Sequence, residues 1–367
     1  MKVLFVATGL SMGGAERQVV DLADELAQRG HDVCIASLTG EVRVKPASPK
    51  VRIVRVGMSN SLGGFISGYR SLRRLVREFQ PDVVHSHMVH ANVLTRLVRL
   101  TTRMPRLVST AHNTNEGGRL RMLAYRLTDP LADLTTNVSD DAVAAFEAKG
   151  AVPRGRMVAV TNGIDIDRFS PDPGAGAALR SSEGIAPDGK VLLSVGRLVE
   201  EKDHDRLLGA FAPLARADDL TLWIVGQGPL LDALQARAAE LGVADKVKFL
   251  GIRDDIPKLM NAADVFVLSS VFEGFGLVVA EAMACEKVVV ATDSGGVGQV
   301  LGDCGFLIPP RDTDALQTAL SQALAMAPAE AHALGQRGRA RVVAHYSLRA
   351  AVDKWTALYT EPLKGQA

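Results

Sequence analysis

The chain has 367 residues, of which 42 are Lys or Arg and 41 are Asp or Glu, so its formal net charge is +1. Hydrophobic residues make up 47% and charged residues 23%, ordinary values for globular domains that exclude a disordered or fibrous chain. Single hydrophobic cores stop growing at roughly 250–300 residues, so this length predicts two domains. The three cysteines, Cys34, Cys285 and Cys304, are too few and too scattered for a disulfide framework or a zinc cluster, and they fit a reducing compartment.

The N-terminal residues contain a short apolar run that no small-residue cleavage site follows, which favours a buried first strand over a targeting segment. No run of 18 apolar residues occurs, so the sequence predicts no membrane span. We therefore expect a cytoplasmic protein.

Short β-branched runs alternate with helical patterns along the first part of the chain. Near-continuous apolar character is typical of parallel strands covered on both faces. The helical pattern Ala15–Gln28 has one apolar side and stops before Gly30. The predicted strands are Lys2–Thr8, Val33–Ser37, Arg52–Val56, Val83–His87, Leu107–Thr110, Leu134–Val138 and Met157–Thr161.

A stretch rich in Pro, Gly, Ser and Asp, Ser170–Lys190, predicts a linker or surface loop. The alternation then restarts, which predicts a second α/β half and a doubly wound, Rossmann-like sheet in each half. In such folds ligands bind at the carboxyl ends of the strands, here in a cleft that the two halves would face. The predicted strands of the second half are Val191–Gly196, Leu220–Gly226, Val247–Gly251, Val265–Ser270, Val288–Asp293 and Gly305–Ile308.

These patterns predict an N-terminal domain over 1–165 and a C-terminal domain over 166–347. A last helical segment near 348–362 follows the second sheet. Its apolar stripe, which includes Val352, Trp355 and Tyr359, needs a partner surface. We expect this helix to pack back on the first domain.

Gly13 and Gly14 stand between the first strand and the first helix. Glycines there let backbone N–H groups approach a ligand, and a helix N-terminus favours an anion. A tight strand-to-helix turn explains them equally well. The segment lacks the dinucleotide pattern G-x-G-x-x-G and the Walker A lysine, which disfavours an oxidoreductase or a P-loop protein.

Two cations, Arg197 and Lys202, follow the first strand of the second half. They could hold a diphosphate, the arginine through paired donors and the lysine as a mobile point charge. On spacing alone, a solvated charged loop is the simpler interpretation.

Two glutamates, Glu273 and Glu281, flank the start of a later helix in the second half. Carboxylates accept hydrogen bonds from hydroxyl groups, and the free N–H groups around Phe275–Leu277 can bind a ligand. This combination indicates a polyhydroxylated ligand that bears a phosphate. The alternative gives Glu273 a helix-terminus role and Glu281 a solvent-facing one, although Glu281 lies in an apolar run.

With these motifs in their order, the chain resembles the retaining glycosyltransferases of family 4, which have the GT-B architecture of two Rossmann-like domains. The resemblance covers nearly the whole chain. It also includes His112, the crossing motif Asn162-Gly163-Ile164-Asp165 and the segment Gly226-Gln227-Gly228-Pro229. It implies an acceptor-binding N-terminal domain and a C-terminal domain that binds a nucleotide sugar.

The resemblance also implies site roles. Arg197 and Lys202 would stabilise the departing diphosphate, and Glu273 and Glu281 would bind the sugar and ribose hydroxyls. The implied catalytic residues are His112, Arg197, Lys202 and Glu273. The implied donor-binding residues are Gly13, Gly14, Arg197, Lys202, Ile252, Arg253, Glu273, Phe275, Gly276, Leu277 and Glu281. Gln299 stands where an acid is usual, so it receives no charge-based role.

We expect the enzyme to transfer a hexose or N-acetylhexosamine from a UDP-linked donor to a glycan or to a lipid-diphosphate-linked acceptor. The surroundings of His112 are similar to those in polysaccharide and lipopolysaccharide assembly members. A GDP-mannose-dependent mannosyltransferase is the alternative within the class. Outside the glycosyltransferases, the alternatives are a non-catalytic two-lobed sugar-binding protein, a phosphorylase and an epimerase.

Neither a metal nor another cofactor is expected. His85, His87 and His90 are close in sequence, but no carboxylate is near them, so they are expected to line a cleft or serve the structure. The resemblance implies that basic side chains neutralise the phosphates instead.

Basic residues are concentrated in residues 40–126, which carry 16 basic and 4 acidic groups. Such a block favours an anionic neighbour, and an anionic membrane surface at the inner face of the plasma membrane is our hypothesis. An ordinary solvated face has nearly equal weight. Nucleic acid is a poorer partner, because no aromatic interleaving or recognition motif accompanies the charge. The basic residues singled out are Arg70, Arg73, Arg74, Arg77, Arg96, Arg99, Arg103, Arg106, Arg119, Arg121 and Arg126.

Overall fold

The computed structural model describes residues 1–11, 13–59, 61–114, 116–217 and 219–361. Its contacts divide the chain into two compact units. Unit 1 contains Met1–Gly163 together with the C-terminal segment from Leu348, and unit 2 contains Ile164–Ser347. Each unit is an α/β fold built on a parallel sheet.

The sheet of unit 1 has seven described strands in the order β3-β2-β1-β4-β5-β6-β7, all parallel. The strands are β1 (Lys2–Ala7), β2 (Asp32–Ser37), β3 (Arg52–Arg55), β4 (Val83–His87), β5 (Arg106–Thr110), β6 (Leu134–Asn137) and β7 (Met157–Ala159). The helices are α1 (Gly14–Gln28), α2 (Leu62–Phe79), α3 (Val89–Arg99), α4 (Arg119–Thr128), α5 (Asp140–Ala148) and the last helix of the chain, α14 (Leu348–Thr360).

Both faces of this sheet are covered, which is why its strands read as continuous apolar runs. In β1, Val3 and Phe5 join one buried apolar cluster, while Leu4 and Val6 join another on the opposite face. The first cluster also receives Trp355 and other residues of α14, which packs against α1.

The sheet of unit 2 has six described strands in the order β10-β9-β8-β11-β12-β13, again parallel. The strands are β8 (Lys190–Val195), β9 (Leu220–Val225), β10 (Val247–Gly251), β11 (Val265–Leu268), β12 (Val288–Thr292) and β13 (Phe306–Ile308). The helices are α6 (Pro173–Ser182), α7 (His204–Ala217), α8 (Leu231–Glu240), α9 (Ile256–Ala262), α10 (Leu277–Ala284), α11 (Val297–Leu301), α12 (Thr313–Ala325) and α13 (Pro328–His345).

The strand orders confirm the predicted doubly wound sheets. In each unit the first strand lies inside the sheet, between the second and fourth strands of that sheet, and this reversal of strand order is where such folds bind ligands. In each unit the segments that follow the carboxyl ends of the strands at this reversal are therefore the candidate ligand-binding segments: those after β1 and β4 in unit 1, and those after β8 and β11 in unit 2.

The prediction of a linker or loop over Ser170–Lys190 was wrong for its first half, which forms α6. The Asp172 side chain accepts a hydrogen bond from the Ala175 N–H at 2.9 Å, and proline occupies the first helical position, as it often does. The helix packs closely on α9: a Cβ at Gly176 would lie only 2.6 Å from the Asn261 carbonyl oxygen, so the absence of a side chain at Gly176 permits this contact. The small and turn-forming residues therefore serve a cap and a close helix contact.

Candidate functional site

In unit 1 the predicted glycines lie at the N-terminus of α1. Gly13 caps the helix, Gly14 begins it, and both are exposed. Gly13 has an extended φ of 170°, which any residue can adopt. The exposed first-turn N–H groups of α1 have no partners within the helix and carry its positive dipole end.

His112 follows β5 and contacts His87, one of the histidines expected to line a cleft or serve the structure. Its Nε2 atom lies 2.8 Å from Nδ1 of His87, which ends β4. Burial lowers the pKa of His112 to about 4 and that of His87 well below the usual 6.5, so both rings are neutral near pH 7. His112 Nδ1 is buried and has no hydrogen-bond partner among the described residues.

The His112 loop is held by Glu116, which sequence reasoning did not identify as functional. One carboxylate oxygen accepts the His112 backbone N–H at 2.7 Å, and the other accepts the hydroxyl of buried Tyr125 at 2.5 Å. The same hydroxyl accepts a hydrogen bond from buried Asn92 at 2.9 Å. Burial raises the pKa of Glu116, and the two hydrogen bonds oppose that rise by favouring the ionised form. Only the folded structure reveals this network, because it joins the segment after β5 to residues of α3 and α4.

His85 has a structural role. Its Nδ1 lies 2.6 Å from the Tyr359 hydroxyl on α14, and its Nε2 lies 2.7 Å from Thr110 Oγ1. Both ring nitrogens are therefore occupied by the core of unit 1. Among the described residues, no group of three or more His, Cys, Asp or Glu side chains is arranged to hold a metal ion.

In unit 2 the structure brings Lys202 and Glu273 together. Lys202 Nζ lies 2.5 Å from Glu273 Oε1, although 71 positions separate them, because β8 and β11 are neighbours in the sheet. Ser270 donates its hydroxyl to the same carboxylate oxygen at 2.7 Å, and Ser269 donates to the Lys202 carbonyl at 2.8 Å. The side chains of Lys202 and Glu273 remain 18% and 13% exposed, so the pair is reachable from solvent.

Arg197 lies on the same loop after β8. Its side chain is exposed and makes no hydrogen bond or ion pair with any residue that the structure describes. Arg197 is therefore a cation close in sequence to Lys202, and no acidic side chain among the described residues pairs with it.

The Arg197 loop rests on the segment Gly226–Pro229. The Leu198 N–H donates to the Gln227 carbonyl at 2.9 Å. A Cβ at Gly226, whose φ is +138°, would lie 1.9 Å from the Gly196 carbonyl oxygen, and one at Gly228 would lie 2.2 Å from that of Leu198. The two glycines are thus needed for close backbone packing beneath the loop.

The predicted hydroxyl-binding segment opens α10. Gly276 caps the helix with φ +87°, and a Cβ there would lie 2.9 Å from a Val297 methyl group. Phe275 is buried edge-to-face against Tyr346, and this contact anchors the turn. Leu277 is the first helical residue, and Glu281 lies one turn later, half-buried.

The remaining predicted residues, Ile252 and Arg253, follow β10 at the sheet edge. Ile252 is exposed. Arg253 donates from Nε and Nη2 to the two carboxylate oxygens of Asp255, each at 2.7 Å, and it also lies 3.6 Å from Glu183. The hydrogen bonds from Asp255 and the nearby Glu183 raise the pKa of the Arg253 guanidinium, so its charge is engaged within unit 2.

Two family models match consecutive parts of the chain. The model described as Glycosyltransferase Family 4 matches residues 12–168, and the model described as Glycosyl transferases group 1 matches residues 177–341. A D-inositol 3-phosphate glycosyltransferase of Geodermatophilus obscurus is 32% identical over 95% of this chain and 84% of its own length. The chain therefore belongs to the glycosyltransferases that pair these two domains.

A GDP-mannose-dependent alpha-(1-6)-phosphatidylinositol monomannoside mannosyltransferase of Mycolicibacterium smegmatis is 36% identical over 68% of this chain and 66% of its own length. A solved structure of Anabaena Alr3699/HepE in complex with UDP and glucose matches with a TM-score of 0.84 at 23% identity, covering 98% of this chain and 99% of that one. This likeness supports the GT-B fold. None of the described helices is long and apolar enough to cross a membrane.

Proposed function

We propose that this glycosyltransferase moves a hexose or N-acetylhexosamine from a UDP-linked donor to a glycan or lipid-linked saccharide in cell-surface polysaccharide assembly. The reaction retains the anomeric configuration and needs no metal. The observation that carries the proposal is the Lys202–Glu273 pair at the carboxyl edge of the unit 2 sheet, with exposed Arg197 in the same segment after β8 as Lys202.

The chemistry follows from these charges. Negative charge grows on the diphosphate as its bond to the sugar breaks, and Lys202 and Arg197 stabilise that charge. Glu273 accepts hydrogen bonds from sugar hydroxyls while its other partners, Lys202 and Ser270, hold it in place. Backbone N–H groups at Phe275, Gly276 and Leu277, around the start of α10, add donors. Glu281 binds the ribose hydroxyls.

Unit 1 supplies the acceptor-binding side of the proposal. A neutral His112 with a free Nδ1 hydrogen-bonds to the transferred sugar or the acceptor. The N-terminus of α1, at Gly13 and Gly14, contributes backbone N–H donors suited to a phosphate.

Substitution tests the role of Lys202. Lys202→Ala should lower turnover about 10²–10³-fold, by analogy with the removal of one preorganised donor, worth about 2.7–4 kcal/mol. Lys190→Ala is the matched control, because Lys190 is an exposed lysine of the same unit that lies 4.0 Å from Asp264. Wild-type turnover in folded Lys202→Ala would remove the assignment.

GDP-mannose is the second candidate donor, favoured by the identity with the mannosyltransferase of Mycolicibacterium smegmatis. A thermal-shift screen of UDP- and GDP-linked sugars separates the two, since a ligand raises apparent stability by RT ln(1+[L]/Kd). Stabilisation by GDP-mannose alone would replace the UDP proposal. Stabilisation by free sugar but by no nucleotide would instead favour a non-catalytic sugar-binding protein.

The proposed location is cytoplasmic, with the chain peripheral on the inner face of the plasma membrane. The prediction that Arg96 and Arg106 belong to a basic face was wrong, because Arg96 is fully buried beside Asp129 and Arg106 is buried and donates to the Glu361 carbonyl. The exposed arginines of residues 40–126 support an anionic surface as partner. Arg70, Arg74 and Arg77 are exposed on α2, in keeping with this role.

A further inference from the structure

Two histidines share one hydrogen bond at the carboxyl edge of the unit 1 sheet. His87 ends β4, His112 follows β5, and Nδ1 of His87 lies 2.8 Å from Nε2 of His112. The remaining nitrogens, Nε2 of His87 and Nδ1 of His112, are buried and have no hydrogen-bond partner among the described residues. One nitrogen of each ring is therefore engaged with the other ring, and one is left over.

The position of the shared proton decides what the leftover nitrogens can do. A neutral imidazole carries its single proton on one of its two nitrogens, and both rings are neutral near pH 7 because burial lowers the pKa of each. A contact of 2.8 Å needs one proton between the rings, because two protons would collide and none would leave two lone pairs facing each other. Only two arrangements remain. Either His87 donates from Nδ1 and His112 carries its own proton on Nδ1, or His112 donates from Nε2 and His87 carries its proton on Nε2.

The surroundings of His87 distinguish these two arrangements. The His87 side chain is 1% exposed, and its ring lies against the rings of Phe5 and His85, with centroids 5.7 and 4.0 Å away. His85 cannot serve as a partner, because Tyr359 and Thr110 occupy both of its nitrogens. An N–H at Nε2 of His87 would therefore be buried without an acceptor, which is rarer in folded proteins than a buried acceptor without a donor. The first arrangement leaves only a bare nitrogen at this position.

Both rings are carried by anchored backbone. His87 is the last residue of a strand that is paired on both sides, with β1 and with β5. The backbone N–H of His112 donates to the Glu116 carboxylate at 2.7 Å. Because the hydrogen bond at one nitrogen of a histidine sets which nitrogen carries the proton, a donor held in this way can select one form of its partner.

We propose that His87 is a positioning residue, which donates from Nδ1 to His112 and thereby fixes His112 in the form that donates from its own Nδ1. His112 is half-buried, so of the two rings it is the one that a ligand can approach. The proposal rests on the proposed function for its purpose, because it names the hydrogen bond that His112 offers to the sugar. The ligand atom at Nδ1 must then accept a hydrogen bond, as a sugar hydroxyl oxygen does and an ammonium group does not.

Magnetic resonance of the full chain with isotope-labelled histidine tests this without any substrate. Long-range proton–nitrogen correlations distinguish a protonated Nδ1 from a protonated Nε2, and the His112→Asn and His87→Asn variants assign the two rings among the eight histidines. We expect both rings to carry the proton on Nδ1 near pH 7. A wild-type His112 with a bare Nδ1, or an even mixture of the two forms, would overturn the proposal.

Two variants of His87 separate this role from a merely structural one. His87→Asn retains an amide N–H that can donate to Nε2 of His112, whereas His87→Leu has no donor. The removal of one preorganised donor lowers turnover about 10²–10³-fold in an oxyanion hole, so we expect kcat of His87→Leu to fall about 100-fold. We expect His87→Asn to keep the donor form of His112 and most of the wild-type kcat. His332→Asn is the matched control, because the His332 side chain is 64% exposed on α13.

Circular dichroism checks that the variants fold, and the wild-type spectrum decides the form of His112 even if a His87 variant does not. Equal kcat in the wild type and in folded His87→Leu, or an equal loss in the asparagine and leucine variants, would overturn the role of His87. A wild-type His112 in the donor form, together with no transfer from any UDP- or GDP-linked sugar, would support the hydrogen bond and contradict the proposed function instead.

Discussion

Replacing Gly226 with alanine should disturb the Arg197 loop without touching any charged residue. The new Cβ would lie 1.9 Å from the Gly196 carbonyl oxygen, and real Cβ atoms essentially never come closer than 3.0 Å. One of the two backbones must therefore move by about 1.1 Å (3.0 − 1.9). Because Gly196 directly precedes Arg197, the displacement reaches the proposed phosphate-binding loop.

The magnitude has two parts. Placing a side chain at φ +138° costs of order 1–3 kcal/mol, and the overpacked contact costs about 1–3 kcal/mol more. We therefore expect a loss of about 2–6 kcal/mol in the free energy of unfolding of unit 2. A misplacement of about 1 Å at a reacting group can lower turnover about 100-fold.

Gly242→Ala is the matched control. Gly242 also has a positive φ, +69°, but a Cβ there would meet nothing within 4 Å, so only the conformational cost of about 1–2 kcal/mol applies. Urea unfolding measures the stability of both variants, and calorimetric titration with UDP or GDP measures nucleotide affinity. Equal nucleotide affinity in the two variants would refute the argument that Gly226 supports the Arg197 loop.

Three further predictions follow from the other networks. In Glu116→Gln the amide cannot accept both the His112 N–H and the Tyr125 hydroxyl as the carboxylate does. We therefore expect kcat to fall while the KM for the donor stays unchanged. An altered donor KM with a normal kcat would contradict this. Burial lowers the pKa of His204 to about 4, so the folded chain binds fewer protons than the unfolded chain between pH 4 and 6.5. The contribution of His204 to the free energy of unfolding is complete above pH 6.5 and is lost as the pH falls toward 4. His204→Gln should therefore flatten the dependence of the free energy of unfolding on pH in this range. If the slope of that dependence does not change, the ring is not buried in its neutral form. Trp355→Ala on α14 should destabilise unit 1 by about 3–5 kcal/mol, because Trp355 is buried. Asp353→Asn loses only an exposed ion pair with Arg29 and should cost under about 1 kcal/mol. If the two variants lower the melting temperature equally, the helix is not part of the core.

The sequence was sufficient for the strands, because a parallel strand buried on both faces leaves a continuous apolar run between turn residues. The predicted and observed strands differ by a residue or two at their ends. Composition alone was misleading at 173–182, where Asp172 and Pro173 begin a helix and Gly176 permits a close contact, although the same residue types are common in linkers.

Part of the candidate site was visible as motifs, since Lys202 and Glu273 each follow a strand of the second half. Their direct contact was not visible, because it depends on β8 and β11 being neighbours in the sheet. Glu116 was missed because its importance depends on Tyr125 of α4 meeting it in a buried network.

The local order of strands, helices and turns was therefore determined by the sequence, through apolar periodicity and turn chemistry that act within a few residues. Only the tertiary structure decided which charges pair, which are left free, and that α4 buries Tyr125 while it exposes Leu120, Leu123 and Leu127. The physical reason is that periodicity shows that a helix has an apolar side, whereas burial depends on which other elements pack against that side.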